Sequence, residues 1–190
     1  MGRGVRNEGA VRHPRGHVRL HGVPGHRRDG GVAVTRTLLL MRHAQAEDGA
    51  GTADFDRPLT DRGRAQAESV GRLLVERGYR PDHVVCSSAL RTRQTLEGVL
   101  GAMGHEPEVD HTEAAYLAGP ESLLELVGHV DPEVNTLLVV GHNPTIAQVA
   151  SSFVGPEALA AFSPATVASV ELEVEWLYAA PGTGTGHILG

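Results

Sequence analysis

Lysine is absent from all 190 residues, so each of the 17 basic side chains is an arginine. That absence excludes Schiff-base catalysis and the Walker-type phosphate loop, both of which need a lysine side chain. Cysteine occurs once, as Cys86, which excludes an internal disulfide and a cysteine-rich metal site. Aromatic residues reach only 4%, although the hydrophobic content of 41% is ordinary for a globular chain. Long apolar runs are missing too. Leu38-Leu39-Leu40-Met41 and Leu137-Leu138-Val139-Val140 are far too short to span a bilayer, and the expected location is cytoplasmic. Charge is unevenly placed. Residues 1–33 carry seven Arg against Glu8 and Asp29, which leaves the remainder with 10 Arg against 21 acids. An acidic body argues against general nucleic-acid binding.

Residues 1–33 differ from the rest. They are rich in Gly, Arg, His and Pro and show neither helical nor strand periodicity, which predicts disorder. No apolar core of a secretion signal is present there. His13, His17 and His21 are spaced for one helix face, but Pro14 and Gly16 interrupt that helix, so no metal site is expected. The composition break suggests that translation starts near Val34 and that 1–33 is upstream sequence. Residues 34–190 then form one domain.

From Thr37 the chain alternates between apolar runs and amphipathic segments. Strands are expected over 37–41, 82–86, 107–110, 136–140 and 167–174. Thr60 is placed to cap a helix running to Arg77, ended by Gly78. Ser87 or Ser88 would cap a second helix to Met103, ended by Gly104. Further helices are expected over 120–129 and from Asn143-Pro144 to Phe153, the latter with an Asn cap and proline at the first helical position. This order predicts an α/β fold: a three-layer α/β/α sandwich around a mostly parallel sheet.

Three strands end in polar residues that suit a common chemistry. They are Met41-Arg42-His43-Ala44, Cys86-Ser87-Ser88-Ala89-Leu90-Arg91, and Val140-Gly141-His142-Asn143-Pro144. Parallel strands joined by right-handed crossovers bring their carboxyl ends to one edge, where ligands bind. Arg42 and Arg91 offer permanently charged forks for phosphoryl oxygens. Helix N-termini beyond Ser88 and Asn143 would add N–H donors. An imidazole flanked by Arg charges stays neutral and nucleophilic. His43 follows its strand directly and suits attack, which leaves His142 to stabilise charge on the transferring group.

The Arg42-His43-Ala44 turn resembles the signature of the histidine phosphatase superfamily. So do Arg57-Pro58-Leu59-Thr60-Asp61-Arg62-Gly63, the Cys86-Ser87-Ser88…Arg91-Thr92-Arg93-Gln94-Thr95 run and Gly141-His142-Asn143-Pro144, all in the family's order. In detail they are similar to the SixA-type branch, the phosphohistidine phosphatases, from about Thr35 onward. Ala44 stands where the family usually has Gly. The resemblance implies that His43 carries a phosphohistidine intermediate while Arg42, Arg91 and His142 hold phosphate oxygens, with no cofactor. Arg57 would either reach the phosphate or anchor the turn before the Thr60 helix. Asn143 joins the substrate-binding set.

Glu113, in Glu113-Ala114-Ala115-Tyr116, sits where related mutases and phosphatases carry a general acid; its other reading is an exposed loop carboxylate. Expelling an alkoxide needs such an acid, whereas imidazole, with a pKa of about 6.5, leaves more easily. The connection from Gly101 to Gly119 is short, so an open pocket is expected. That favours phosphohistidine on another protein as substrate, with a histidine phosphotransfer protein as the implied partner. Two alternatives stand beside it: a phosphatase for small phosphate esters with Glu113 as acid, and a non-catalytic phosphate-binding module. A cysteine phosphatase is excluded, because only four residues separate Cys86 from Arg91 where that chemistry needs five. His83, His105, His111 and His129 show no ligand spacing, and the Arg pair supplies the charge a metal would, so no metal is expected.

Overall fold

The computed structural model describes residues 35–189. The expectations for 1–33, including His13, His17 and His21, lie outside the described residues.

Six strands form one sheet: β1 (Arg36–Arg42), β2 (His83–Ser87), β3 (Glu108–Thr112), β4 (Thr136–Gly141), β5 (Val167–Leu172) and β6 (Gly184–Leu189). Their order is β3-β2-β4-β1-β5-β6. The first four of that order run parallel; β5 opposes β1, and β6 opposes β5. The sheet is therefore mostly parallel, as expected. Six helices accompany it: α1 (Asp61–Glu76), α2 (Leu90–Met103), α3 (Ala114–Leu117), α4 (Pro120–Gly128), α5 (Thr145–Val154) and α6 (Ala158–Ala161).

Strand periodicity explains the three layers. Leu39, Met41, Val84, Cys86, Leu138 and Val140 share one core with Ala67, Val70 and Leu74 of α1 and Leu96, Val99 and Met103 of α2. Their neighbours Leu38, Leu40, Val85, Leu137 and Val139 face a second core with Leu123 and Val127 of α4 and Ile146, Val149 and Phe153 of α5. Both faces are covered, so the central strands read as continuous apolar runs. Leu38, Leu39, Leu40, Leu137 and Leu138 are completely buried, and such a side chain stabilises the fold by about 2 kcal/mol.

Thr60 caps α1 as expected, its Oγ1 accepting from the Gly63 amide at 2.9 Å, and Gly104 ends α2 in the left-handed region at φ 59°. Other boundaries differ from expectation. Neither Ser87 nor Ser88 caps α2: Ser87 is still strand, Ala89 holds the cap position, and the Ser87 hydroxyl is engaged elsewhere. Asn143 does not cap α5, and Pro144 is not at its first turn. The helix starts at Thr145, the Asn143–Pro144 peptide is cis, and the Asn143 amide donates to the Phe162 carbonyl instead. The late strand stops at Leu172, and the Gly/Thr-rich tail forms β6.

Gly63 is required by packing. A Cβ there would fall onto the Gln45 carbonyl oxygen, in the loop that follows His43. Gly101, also helical, has open space around it. We expect Gly63→Ala to destabilise the protein by about 1–3 kcal/mol and Gly101→Ala to stabilise it by up to about 1 kcal/mol, both read from urea unfolding midpoints. Equal effects at the two sites would contradict the close approach.

Candidate active site

β4 lies between β1 and β2, and the register decides what meets at their C-terminal ends. Arg42 stands opposite Gly141, and Cys86 opposite Val140. The next residues along these strands are His43, Ser87 and His142. The two imidazole rings come to 5.2 Å between centroids, tilted by 56°. Arg91, on the first turn of α2, is only 5% exposed and donates from Nη2 to His142 Nδ1 at 3.2 Å. Arg42 donates from Nη1 to the Phe162 carbonyl at 2.9 Å, beside the Asn143 amide at 3.0 Å on the same oxygen. The four residues expected to form one cluster do so.

The hydrogen bonds assign tautomers. His43 Nδ1 lies 2.8 Å from the Ala44 carbonyl. A carbonyl only accepts, so Nδ1 carries the proton and Nε2 keeps its lone pair free. His142 receives a donor from Arg91 at Nδ1, so its proton sits on Nε2, which faces Ser87 Oγ at 2.8 Å. Burial pushes the His43 pKa down to about 4, with the Arg91, Arg42 and Arg57 charges adding to the shift and the Ala44 hydrogen bond opposing it. The sequence points to the Arg charges alone as the cause; desolvation is the larger one. Burial, then the Arg91 charge, likewise pushes His142 down to about 3. Both imidazoles are neutral at pH 7, and His43 presents an unprotonated nitrogen beside three guanidinium groups. Nε of Arg42 and Nε of Arg91 are buried with no protein acceptor among the described residues.

The residues after Arg91 hold the loops around this cluster. Thr92 Oγ1 donates to the Ser87 and Ala89 carbonyls, both at 2.7 Å. Gln94 Oε1 accepts from the Leu59 amide at 2.7 Å, and Thr95 Oγ1 accepts from the Ala44 amide at 3.0 Å. The Arg-Thr-x-Gln-Thr pattern is thus a set of ties from α2 to the loops that follow β1 and β2.

The remaining candidates divide. Arg57 anchors its loop, donating from Nε to the Glu47 carbonyl at 2.7 Å and from Nη1 to Asp54 Oδ1 at 2.9 Å, while its charge still reaches His43. Glu113 is exposed at the start of α3. Its carbonyl accepts from Tyr116, and its carboxylate has no hydrogen-bond or ion-pair partner among the described residues. Cys86 is buried, and its thiol is pushed up to about 12 by that burial, which suits an inert core residue. No group of three His, Cys, Asp or Glu that could hold a metal occurs among the described residues. Three residues were not anticipated: Ser87 as the partner of His142, Asp54, and Tyr116, whose ring packs edge-on against His142 at 5.3 Å. Larger surface grooves, such as the one between α1 and α2 lined by Arg64, Glu68, Arg72 and Glu97, lie apart from this cluster.

The histidine phosphatase superfamily (branch 1) model matches residues 38–113. A solved structure from Nakamurella multipartitia, provisionally described as phosphohistidine phosphatase SixA, is 34% identical. Its TM-score is 0.72, over 82% of this chain and 96% of that one. A second, from Agrobacterium tumefaciens and described in the same provisional terms, is 33% identical with a TM-score of 0.66 over 72% and 92%. The uncharacterized protein Rv1276c of Mycobacterium tuberculosis is 36% identical over 151 residues, covering 75% of this chain and 93% of the relative. The chain belongs to the histidine phosphatase superfamily, on its SixA-type branch. It is accordingly a hydrolase of the phosphatase class. No helix among the described residues is long and apolar enough to cross a membrane.

Both imidazoles should stay neutral to well below pH 6.5 in histidine NMR titrations of the folded protein. The unfolded chain takes up protons at these positions near pH 6.5 and the folded chain does not until about pH 4. Unfolding therefore binds protons in that window, and stability should fall as pH drops through it. Ser87→Ala leaves the His142 Nε2–H buried without an acceptor and should cost about 1–3 kcal/mol. An unchanged His142 ¹⁵N spectrum and unfolding midpoint in that variant would refute the assignment.

Proposed function

We propose that this chain hydrolyses phosphohistidine on a protein through a covalent phosphohistidine at His43. The observation carrying this reading is the tautomer of His43. Its proton is tied to the Ala44 carbonyl at Nδ1, so Nε2 presents a free lone pair at pH 7 among Arg42, Arg91 and His142.

In the first step His43 Nε2 bonds to phosphorus as the P–N bond of the substrate breaks. The substrate imidazole departs neutral if its other nitrogen holds a proton. Charge on the phosphoryl oxygens is met by the Arg42 and Arg91 guanidinium groups, which are in place before reaction. His142 lines the same space, and Asn143 orders the Phe162 carbonyl that Arg42 also uses. In the second step water attacks phosphorus, the P–Nε2 bond breaks, and both water hydrogens leave with dihydrogen phosphate. Transfer through a neutral imidazole needs no charged nucleophile, so desolvation costs little.

The preference for a P–N bond is supported by the surroundings of Glu113. An acid that protonates an alkoxide needs a fixed position, and the Glu113 carboxylate is exposed and untethered. The second reading, hydrolysis of small phosphate esters with Glu113 as acid, draws on a single observation. Tyr116, one turn beyond Glu113, packs against His142 and so brings α3 to the site.

Brief incubation with a ³²P-labelled phosphohistidine protein, followed by acid or base quench, should reveal an acid-labile, base-stable label. His43→Ala should abolish the label and lower turnover by at least about 10³-fold. The labelling rate should rise as pH falls through about 6.5, where the departing imidazole gains its proton, and fall again as pH approaches the His43 pKa of about 4, since protonation removes the lone pair. Glu113→Gln should leave phosphohistidine turnover within about threefold. Turnover of phosphate esters that Glu113→Gln abolishes would favour the ester reading. A wild type that binds phosphoprotein but never takes label would make the chain a binding module.

A further inference from the structure

Asp54 lies in the short 3-10 turn Asp54–Asp56, ahead of Arg57, and carries no expected role. Three side chains from different elements nevertheless converge on it. Arg57 Nη1 donates to Oδ1 at 2.9 Å, the Tyr116 hydroxyl donates to Oδ2 at 2.8 Å, and Arg91 Nη2 donates to Oδ2 at 3.0 Å. Arg91 Nη1 donates to the Asp54 backbone carbonyl at 2.5 Å. The turn is further held by the Phe55 ring, which meets the Tyr116 ring edge-on at 5.1 Å.

A guanidinium has two hydrogen-bonding edges. The end edge presents Nη1–H and Nη2–H, and the side edge presents Nε–H with the second hydrogen of Nη2. Asp54 occupies the end edge with two acceptors. The side edge turns the other way: Nη2 also reaches His142 Nδ1 at 3.2 Å, and Nε is buried without a protein acceptor among the described residues. An arginine side chain has several rotatable bonds, so a fixed fork depends on being held.

We propose that Asp54 is the positioning residue for Arg91, gripping the end of its guanidinium and so fixing the group against His142 in the phosphate site. This inference rests on the phosphatase reading above. Asp54 itself touches no reacting atom. Its effect passes through Arg91, and the Tyr116 and Arg57 bonds fix the carboxylate that does the gripping.

Vanadate binding to the full chain, measured by calorimetry, tests this. Asp54→Ala should weaken vanadate about tenfold, the loss expected when a charge-assisted positioning bond is removed. Asp54→Asn keeps one acceptor for Arg91 and should recover to within about threefold of wild type. In an Arg91→Ala background the Asp54→Ala change should alter affinity by less than about twofold, because the two residues act as one unit. Additive losses in the cycle would overturn the proposal. So would an Asp54→Ala protein that binds vanadate as well as or better than wild type, or an Asn variant as weak as Ala. Should Arg91→Ala not fold, the Ala and Asn comparison at position 54 decides alone. A wild type that neither binds vanadate nor takes label at His43 sinks the phosphatase reading itself. A wild type that does both, with Asp54→Ala unaffected, sinks only the role of Asp54.

Discussion

Met41 stands opposite Val140 and Arg42 opposite Gly141, so the first residues past two neighbouring parallel strands are both histidines. The site depends on this register. A shift of one residue would exchange the two faces of β1, moving Leu39 and Met41 out of the core they share with α1 and α2. It would also carry His43 away from the Gly141 carbonyl, which now accepts its amide at 3.0 Å. The same apolar packing that stabilises the sheet therefore aligns the imidazoles, with no separate device needed to bring them together.

Burial then sets their chemistry. Desolvation alone would penalise any charge placed at this edge, yet the site concentrates positive charge there. Arginine resolves the conflict where lysine would not. Burial lowers the pKa of Arg42, but a guanidinium starts so far above neutrality that it remains charged. An ammonium in the same surroundings would be prone to lose its proton and, with it, its hold on an anion. Histidine responds in the opposite sense to arginine, becoming neutral and hence nucleophilic in that environment. One low-dielectric edge thus holds permanently charged guanidinium groups beside uncharged imidazoles, and the Asp54 carboxylate near Arg91 and Arg57 offsets part of the positive charge.

Much of this was legible in the sequence, and the parts that were not have physical reasons. β1, β2 and β4 announce themselves as continuous apolar runs because both of their faces are covered. Arg42, His43, Arg91 and His142 could be placed because each follows or lies near such a run. The caps of α2 and α5 were misjudged. Serine and asparagine before a helix usually satisfy its free amides, but here tertiary partners claimed the side chains, His142 for Ser87 and the Phe162 carbonyl for Asn143. Asp54 was invisible for a related reason. A loop aspartate carries no periodicity, and its meaning comes from Arg91, 37 positions away. Strand β6 was hidden by its composition. Gly184 and Gly186 are needed because a Cβ at either would crowd β5, at the carbonyls of Glu171 and Ser169, so a run poor in strand-forming residues still pairs along its whole length.

The division between gripping and cleaving groups also bears on substrate class. On the proposed reading, everything tightly fixed at this site, the guanidinium forks and the two imidazole tautomers, serves the phosphoryl group. Nothing comparably fixed is aimed at a leaving group among the described residues, since Glu113, the candidate acid, is exposed and tethered only through its backbone. A leaving group that needs protonation in the transition state gains little from such an arrangement. One that departs as a stable neutral ring requires only that the phosphoryl group be held and a nucleophile be free. The proposed chemistry, transfer between two imidazoles, suits such a pocket, because attacking and departing groups have nearly the same basicity and the protein need only hold what passes between them.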